Sequence, residues 1–436
     1  MSAAAIAVVS LLVLVWAVLS GVLARHDVTG PLLFVVCGYL LANPDWGVLT
    51  VDVDASAVHL LAELTLGLVL FTDASRVDVG RLRRAVLLPS RLLVVGLPLT
   101  ILLGTVGAEV IFGDFGWELA LFVGAALAPT DAALSVQVIN DKRIPRRLRL
   151  SLNVESGLND GIATPVVTLA IAVAATALGV GHPEAITVRE AAVELGLGVA
   201  IGAVAGGLAA WAINASAIRS LSSGKSREIA TLATAGGVFA LAIAIEGNGF
   251  IAAFVAGMTF GHVIDRERVE TADDDGAPTV LEVLPELVGE LLALVVWFIF
   301  GAILIPLALR VVETGDLLVM CGYALLSLTV FRMVPVALSL IGSGLPGRDV
   351  LILGWFGPRG LATVVFAMLG IEQLGSDPTA QVALAAIGVT VLASVILHGV
   401  TAGPVARRYP ADHAARHPID NSGVRMRSRG VHLWRH

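Results

Sequence analysis

The chain has 436 residues, 57% of them hydrophobic and only 14% charged, with a mean hydropathy of +0.88. An average soluble domain carries roughly 25% charged residues, so this composition excludes one. The net charge of −7 is spread over loops and does not suggest a nucleic-acid partner, and Cys37 and Cys321, each inside an apolar run, exclude a disulfide framework.

In chain order, apolar runs centre near Leu12, Val36, Leu66, Val95, Ala125, Val167, Ala203, Gly237, Ala256, Val296, Leu326, Val365 and Leu392. Crossing a hydrocarbon core takes about 20 such residues at helical rise. The first run lacks a basic n-region, so it reads as a retained span rather than a secretory signal. The second and third are short enough to be tilted or re-entrant, and loop charge is needed to decide their status. Basic residues mark cytoplasmic loops. Arg76, Arg81, Arg83 and Arg84 make one such loop, Lys142, Arg143, Arg146, Arg147 and Arg149 a second, and Arg219, Lys225 and Arg227 a third. They alternate with loops nearly free of basic residues, a pattern that thirteen spans satisfy. The N-terminus is then outside and the C-terminus cytoplasmic, in a multi-pass chain of the cell (inner) membrane. Residues 1–402 form the transmembrane domain and 403–436 a short cytoplasmic tail; the loop 265–278, with Asp273, Asp274 and Asp275, reads as a solvated connector.

The expected fold class is therefore an all-α polytopic membrane protein of about 13 transmembrane helices, divisible into two six-span units around a seventh. The fifth and twelfth spans correspond in that division. Both are interrupted by helix breakers, Pro129-Thr130-Asp131 in one and Gly357-Pro358-Arg359-Gly360 in the other. Paired broken spans in matching halves point to a transporter's midplane site, because a broken helix offers its end dipoles to an ion.

Ionisable groups inside spans cost about 3 kcal/mol each at a helix centre, so five of them facing lipid would cost about 15 kcal/mol. Asp131, Glu155, Asp160, Arg332 and Arg359 are five such groups, and they must face inward, toward one another. The sixth span reads Asn153-Val154-Glu155-Ser156-Gly157-Leu158-Asn159-Asp160-Gly161. Spacing of four puts Glu155 with Asn159 on one stripe and Ser156 with Asp160 on another. Asp160 lies about 15 Å into the span, near the midplane, and Asp131 approaches similar depth from the other side. Two acids at one depth repel unless a cation intervenes.

Weaker signals complete the reading. Glu63 and Asp73 in the third span could line an ion route. Gly198, Gly202 and Gly206, four apart, read as close helix packing. His398, near the end of the last span, reads as an interfacial residue. No cluster has the spacing of a transition-metal site, and nothing calls for a cofactor.

On Thr130-Asp131, Glu155-Ser156-Gly157-Leu158-Asn159-Asp160-Gly161 and Gly357-Pro358-Arg359-Gly360, in that order and separation, the chain resembles the sodium/proton exchanger branch of the monovalent cation:proton antiporters. Leu70-Phe71-Thr72-Asp73, Gly249-Phe250 through Phe254, and Leu397-His398-Gly399 add to the likeness, which covers the whole membrane region. The resemblance implies two inverted six-helix repeats with crossed broken helices, a core domain of about 85–178 and 317–402, and a dimerisation domain that would make the protein a homodimer. It further implies that Asp160 binds Na+ or K+ and H+ alternately, helped by Asp131, Thr130 and Ser156, and that Glu155 pairs with Arg332. Many members carry Pro after the Asp of the fifth span, whereas here Ala132 follows and Pro129 precedes.

A side-chain charge count then sharpens the expectation. Glu155 with Arg332 sums to zero, and Asp131 is offset by Arg359 or by half-helix N-termini. One carboxylate remains, which one cation or one proton neutralises. The expected function is electroneutral one-for-one antiport of Na+ for H+ serving pH homeostasis, and not an enzyme. Potassium/proton exchange is the alternative within the class, and a cation channel or an intramembrane aspartyl hydrolase the alternatives outside it.

Overall fold

The computed structural model describes residues 3–25, 28–43, 46–49, 56–76, 87–141, 143–180, 188–271, 283–311, 317–375 and 377–409. The expectations for Arg81, Arg83, Arg84, Lys142, the loop from 272 and the tail from 410 lie outside these residues.

The described chain is built from helices: α1 (Ala3–Arg25), α2 (Gly30–Ala42), α3 (Ser56–Ser75), α4 (Leu87–Phe112), α5 (Gly116–Ala126), a short α6 (Val136–Asn140), α7 (Arg146–Ala177) and α8 (Val188–Ile218). They continue as α9 (Gly224–Ala244), α10 (Gly249–Thr271), α11 (Val283–Val311), α12 (Leu317–Ser339), α13 (Gly347–Trp355), α14 (Leu361–Leu374) and α15 (Pro378–Arg408). Among the described residues, nine helices are long and apolar enough to cross a membrane, and α2, α5, α10 and α14 contribute four shorter apolar helices. These fall at the thirteen positions that hydropathy marks, and the third run, α3, has full spanning length.

Local chemistry sets the helix ends. Thr29 caps α2 by accepting from the Leu32 amide, with Pro31 in the first turn, and Asp377 caps α15 by accepting from the Thr379 and Ala380 amides. Between α6 and α7, the Arg143 guanidinium 2.6 Å from Asp141 holds that carboxyl below the usual carboxylate range. A π-helical turn at Leu92–Gly96 interrupts α4, and α12 kinks at Thr329.

Packing falls into two groups. In one, α8, α9 and α3 pack on α10, and α11 packs on α3, α9 and α2. Gly198, Gly202 and Gly206 let α8 approach α10 until an added Cβ would stand 2.8 Å from Asn248 O, 2.5 Å from Ala252 O and 2.6 Å from Ala256 Cα, which is the close packing that their spacing predicts. In the other, α5 packs on α4 and α7, and α15 on α12 and α14. Contacts of α3 with α7 and α14, and of α11 with α15, join the groups. α11 is largely buried, whereas α1 carries its apolar side chains on the outside, as a lipid-facing helix does.

Candidate functional site

Two chain breaks face each other at the centre of the second group. Pro129 lacks an N–H and disfavours helix in the residue before it, so α5 stops at Ala126 and the chain passes through Asp131 in extended geometry (φ −111°, ψ 118°) before a 3-10 turn at Ala132–Ser135. The second break separates α13 from α14 over residues 356–360, where Gly357, Pro358 and Gly360 prevent continuation. The breaks are bonded to one another. The Asp131 amide donates to Pro358 O at 2.8 Å. The Asp131 carboxylate accepts from the Ala133 amide at 2.7 Å and from the Leu361 amide, the first of α14, at 3.2 Å. One acid thus caps the N-terminal ends of two half-helices, where orphan N–H groups and the helix dipole both favour negative charge.

Gly360 is required by this approach, because a Cβ there would overlap the Cβ and carboxylate of Asp131. Gly360→Ala is expected to separate the breaks. Overpacking costs about 1–3 kcal/mol, so the variant should melt earlier and lose most cation-dependent proton flux; a variant with unchanged melting and flux would show that the breaks need not touch.

Arg359 points the other way. Its guanidinium donates to Ala128 O at 2.6 Å, Ser327 O at 3.2 Å and Pro129 O at 3.4 Å. These carbonyls end α5 and the first half of α12, so a fully buried cation sits on the negative ends of two helix segments. Of the two offsets expected for Asp131, the observed bonds supply the half-helix N-termini, while Arg359 neutralises helix C-termini.

α7 brings the third strip of polar groups. Asn159 Nδ2 donates to Thr130 Oγ1 at 2.6 Å, and Thr130 Oγ1 lies 3.2 Å from Ser156 Oγ. Thr130 therefore ties both stripes of α7 to the first break. Thr130, Ser156 and Asn159 are buried, while Asp131 and Asp160 are half-buried. Asp160 shares the Ser156 face one turn on, and its backbone carbonyl accepts from Thr164 Oγ1 at 2.7 Å. Glu155, one residue from Ser156, forms an ion pair with Arg332 at 2.6 Å, with both side chains at most 2% exposed. The kink of α12 at Thr329, with Pro335 beyond it, turns Arg332 toward α7.

The remaining candidates divide. Asp73 on α3 comes beside α7, its Cβ 3.7 Å from where a Cβ on Gly157 would stand. Glu63 is not brought to the site; it interacts with His59 and Glu372, which themselves approach to 3.5 Å. His398 departs from its expected interfacial position: it is 1% exposed and bonded behind the second break, because α15 runs against the core rather than along its edge. Ser394, whose Oγ accepts the Arg359 amide at 2.7 Å, had no sequence signal of its own except its place one turn before His398.

The profile of the family described as "Sodium/hydrogen exchanger, transmembrane" matches residues 8–408. The chain is 25% identical over 380 residues to the K(+)/H(+) antiporter NhaP of Alkalimonas amylolytica, covering 86% of this chain but only 62% of that protein. It is 28% identical over 305 residues to the Na(+)/H(+) antiporter NhaP of Pseudomonas aeruginosa, covering 68% of each. The sodium proton antiporter MjNhaP1 from Methanocaldococcus jannaschii has the same fold, with a TM-score of 0.69 at 20% identity over 93% of this chain and 98% of that one. The chain is a multi-pass membrane protein that belongs to the sodium/hydrogen exchanger family.

Proposed function

We propose that the chain exchanges one monovalent cation for one proton, with Asp160 binding the two alternately and Asp131, Thr130 and Ser156 completing the site. The observation that carries this reading is the meeting of Thr130, Ser156 and Asp131 at the paired breaks, with Asp160 one turn beyond Ser156 on α7. Glu155 is matched by Arg332, Arg359 by helix carbonyls, and Asp131 by the Ala133 and Leu361 amides. Asp160, half-buried on the Ser156 face of α7, is the carboxylate we assign to the cargo. A single cation or a single proton neutralises it, so exchange is electroneutral.

Either Na+ or K+ fits a site of carboxylate and hydroxyl oxygens. The Pseudomonas relative is named for Na+ and the Alkalimonas and Shewanella relatives for K+, so potassium is the second reading. Proteoliposomes with an internal pH reporter, challenged with Na+, K+ and Li+ in turn, decide between them. Saturable, cation-driven alkalinisation of the lumen supports exchange; single-channel currents without obligatory counter-transport would reject it in favour of a channel.

Exchange at such a site requires alternating access. A core of about 85–178 and 317–402 rocks against the rest of 1–402, which serves as the interface of a homodimer. The N-terminus is outside and the tail from 403 cytoplasmic. Asp73, against Gly157, lies on the cytoplasmic approach to Asp160.

Asn159 provides a direct check on the charge count. Its Nδ2 is engaged by Thr130 while its Oδ1 is buried with no hydrogen-bond partner among the described residues. Asn159→Asp adds one titrating charge beside Asp160, so transport should become sensitive to an imposed membrane potential. Continued insensitivity in valinomycin-clamped vesicles would mean that the count is wrong.

A further inference from the structure

The second break is held from behind by one face of α15. Ser394, His398 and Thr401 follow at spacings of four and three residues, which places them on a single stripe. Ser394 Oγ accepts the Arg359 amide at 2.7 Å. The Nε2 atom of His398 lies 2.8 Å from Trp355 O, the last carbonyl of α13. Its Nδ1 lies 2.8 Å from Ser394 O and 3.2 Å from Ser394 Oγ. The Trp355 indole stacks on the imidazole, with ring centroids 5.1 Å apart and planes at 29°, and its Nε1 donates to Thr401 Oγ1 at 3.0 Å.

These contacts grip both edges of a five-residue break that carries no internal helix bonds of its own to fix it. Trp355 O sits at its start, and the Arg359 amide near its end. Carbonyl oxygens accept only, so Nε2 engages Trp355 O by donating a proton; Nδ1 faces both the Ser394 carbonyl, to which it can only donate, and the Ser394 hydroxyl, from which it can accept. The same segment then meets the first break, through Pro358 O on the Asp131 amide and the Leu361 amide on the Asp131 carboxylate. A shift of the break along α15 therefore moves the donors that hold Asp131, although neither Ser394 nor His398 touches Asp131.

We infer that Ser394 and His398 are positioning residues that set the register of the second break on α15 and, through it, the placement of Asp131. What this does to transport rests on the exchange reading above; what it does to the backbone does not. Glutamine can replace the essential chemistry of His398, since its amide N–H reaches toward Trp355 O and its carbonyl can take the Ser394 hydroxyl. Alanine can do neither.

The test uses the full chain in two assays. In proteoliposomes, His398→Ala and Ser394→Ala are expected to raise the cation KM about tenfold, the factor that loss of one buried hydrogen bond gives. His398→Gln should stay within about threefold of the parent, inside the spread of a retained bond. Hydrogen–deuterium exchange of a peptide covering 355–361 should accelerate in the two alanine variants and stay protected in His398→Gln. Unchanged exchange and KM in Ser394→Ala would overturn the inference, and so would a His398→Gln variant as impaired as His398→Ala, since only side-chain volume would then matter. Ser394→Ala removes a single oxygen and keeps the test open where His398→Ala fails to fold. Absence of any cation-driven proton flux in the parent chain would reject the exchange reading, while deuterium uptake would still decide the clamp.

Discussion

Asp160→Asn is expected to abolish cation-driven proton flux while leaving the protein folded. A cation 4 Å from a carboxylate gains about 4 kcal/mol at an effective dielectric of 20, which is close to a thousandfold in affinity. The amide keeps the size of the side chain and both removes that attraction and supplies no titrating proton. Flux in reconstituted vesicles should fall to the level of empty liposomes, with the melting temperature unchanged or raised, because a half-buried charge has been removed. A variant retaining a substantial fraction of parental flux would transfer the carrier role to another group, with Asp131 the first to examine.

The second large effect concerns stability. Glu155 and Arg332 are an ion pair at 2.6 Å with almost no exposure, yet Glu155 Oε2 and Arg332 Nε and Nη2 are buried with no hydrogen-bond partner among the described residues. The pair is therefore not fully compensated for leaving water. Removing one member strands the other, at about 3–5 kcal/mol, a large part of the roughly 5–15 kcal/mol that holds a typical protein together. Arg332→Ala and Glu155→Gln should each express poorly and melt well below the parent. Replacing both by apolar residues, as in Glu155→Leu with Arg332→Met, should recover most of the lost stability. It should also keep electroneutral exchange, since the pair contributes no net charge. Single variants as stable as the parent would show that water or another group already compensates the pair.

The fold was readable in this sequence because lipid leaves few options. Backbone groups must be satisfied within each span, so hydropathy and loop charge locate helices reliably, including the short α2 and the broken α5 and α13/α14. The in-span charges were readable for the same reason, and spacing on α7 put Ser156 and Asp160 on one face.

Glu155 does pair with Arg332, as the resemblance implied, but the sequence did not carry the partners of the other charges. Whether Arg359 answers Asp131 or the helix carbonyls depends on the direction in which the second break turns, and its guanidinium goes to Ala128 O and Ser327 O. Backbone amides such as those of Ala133 and Leu361 have no residue identity to read, although they are the groups that hold the Asp131 carboxylate. His398 misled because a polar residue near a helix end usually reaches the interface, whereas α15 runs through the packed core and makes it a buried hydrogen-bonding group. Glu63 lies on α3 as Asp73 does, near His59 and Glu372.

The central claim is that cation and proton compete for one carboxylate, and the pH dependence of the cation KM tests it most directly. In reconstituted vesicles at symmetrical pH, competition predicts that the KM rises about tenfold for each unit of acidification below the pKa of the site, as one bound proton requires, with saturating cation restoring the maximal rate. A KM that stays constant while the maximal rate falls with acidification would place proton and cation on separate groups and contradict the account.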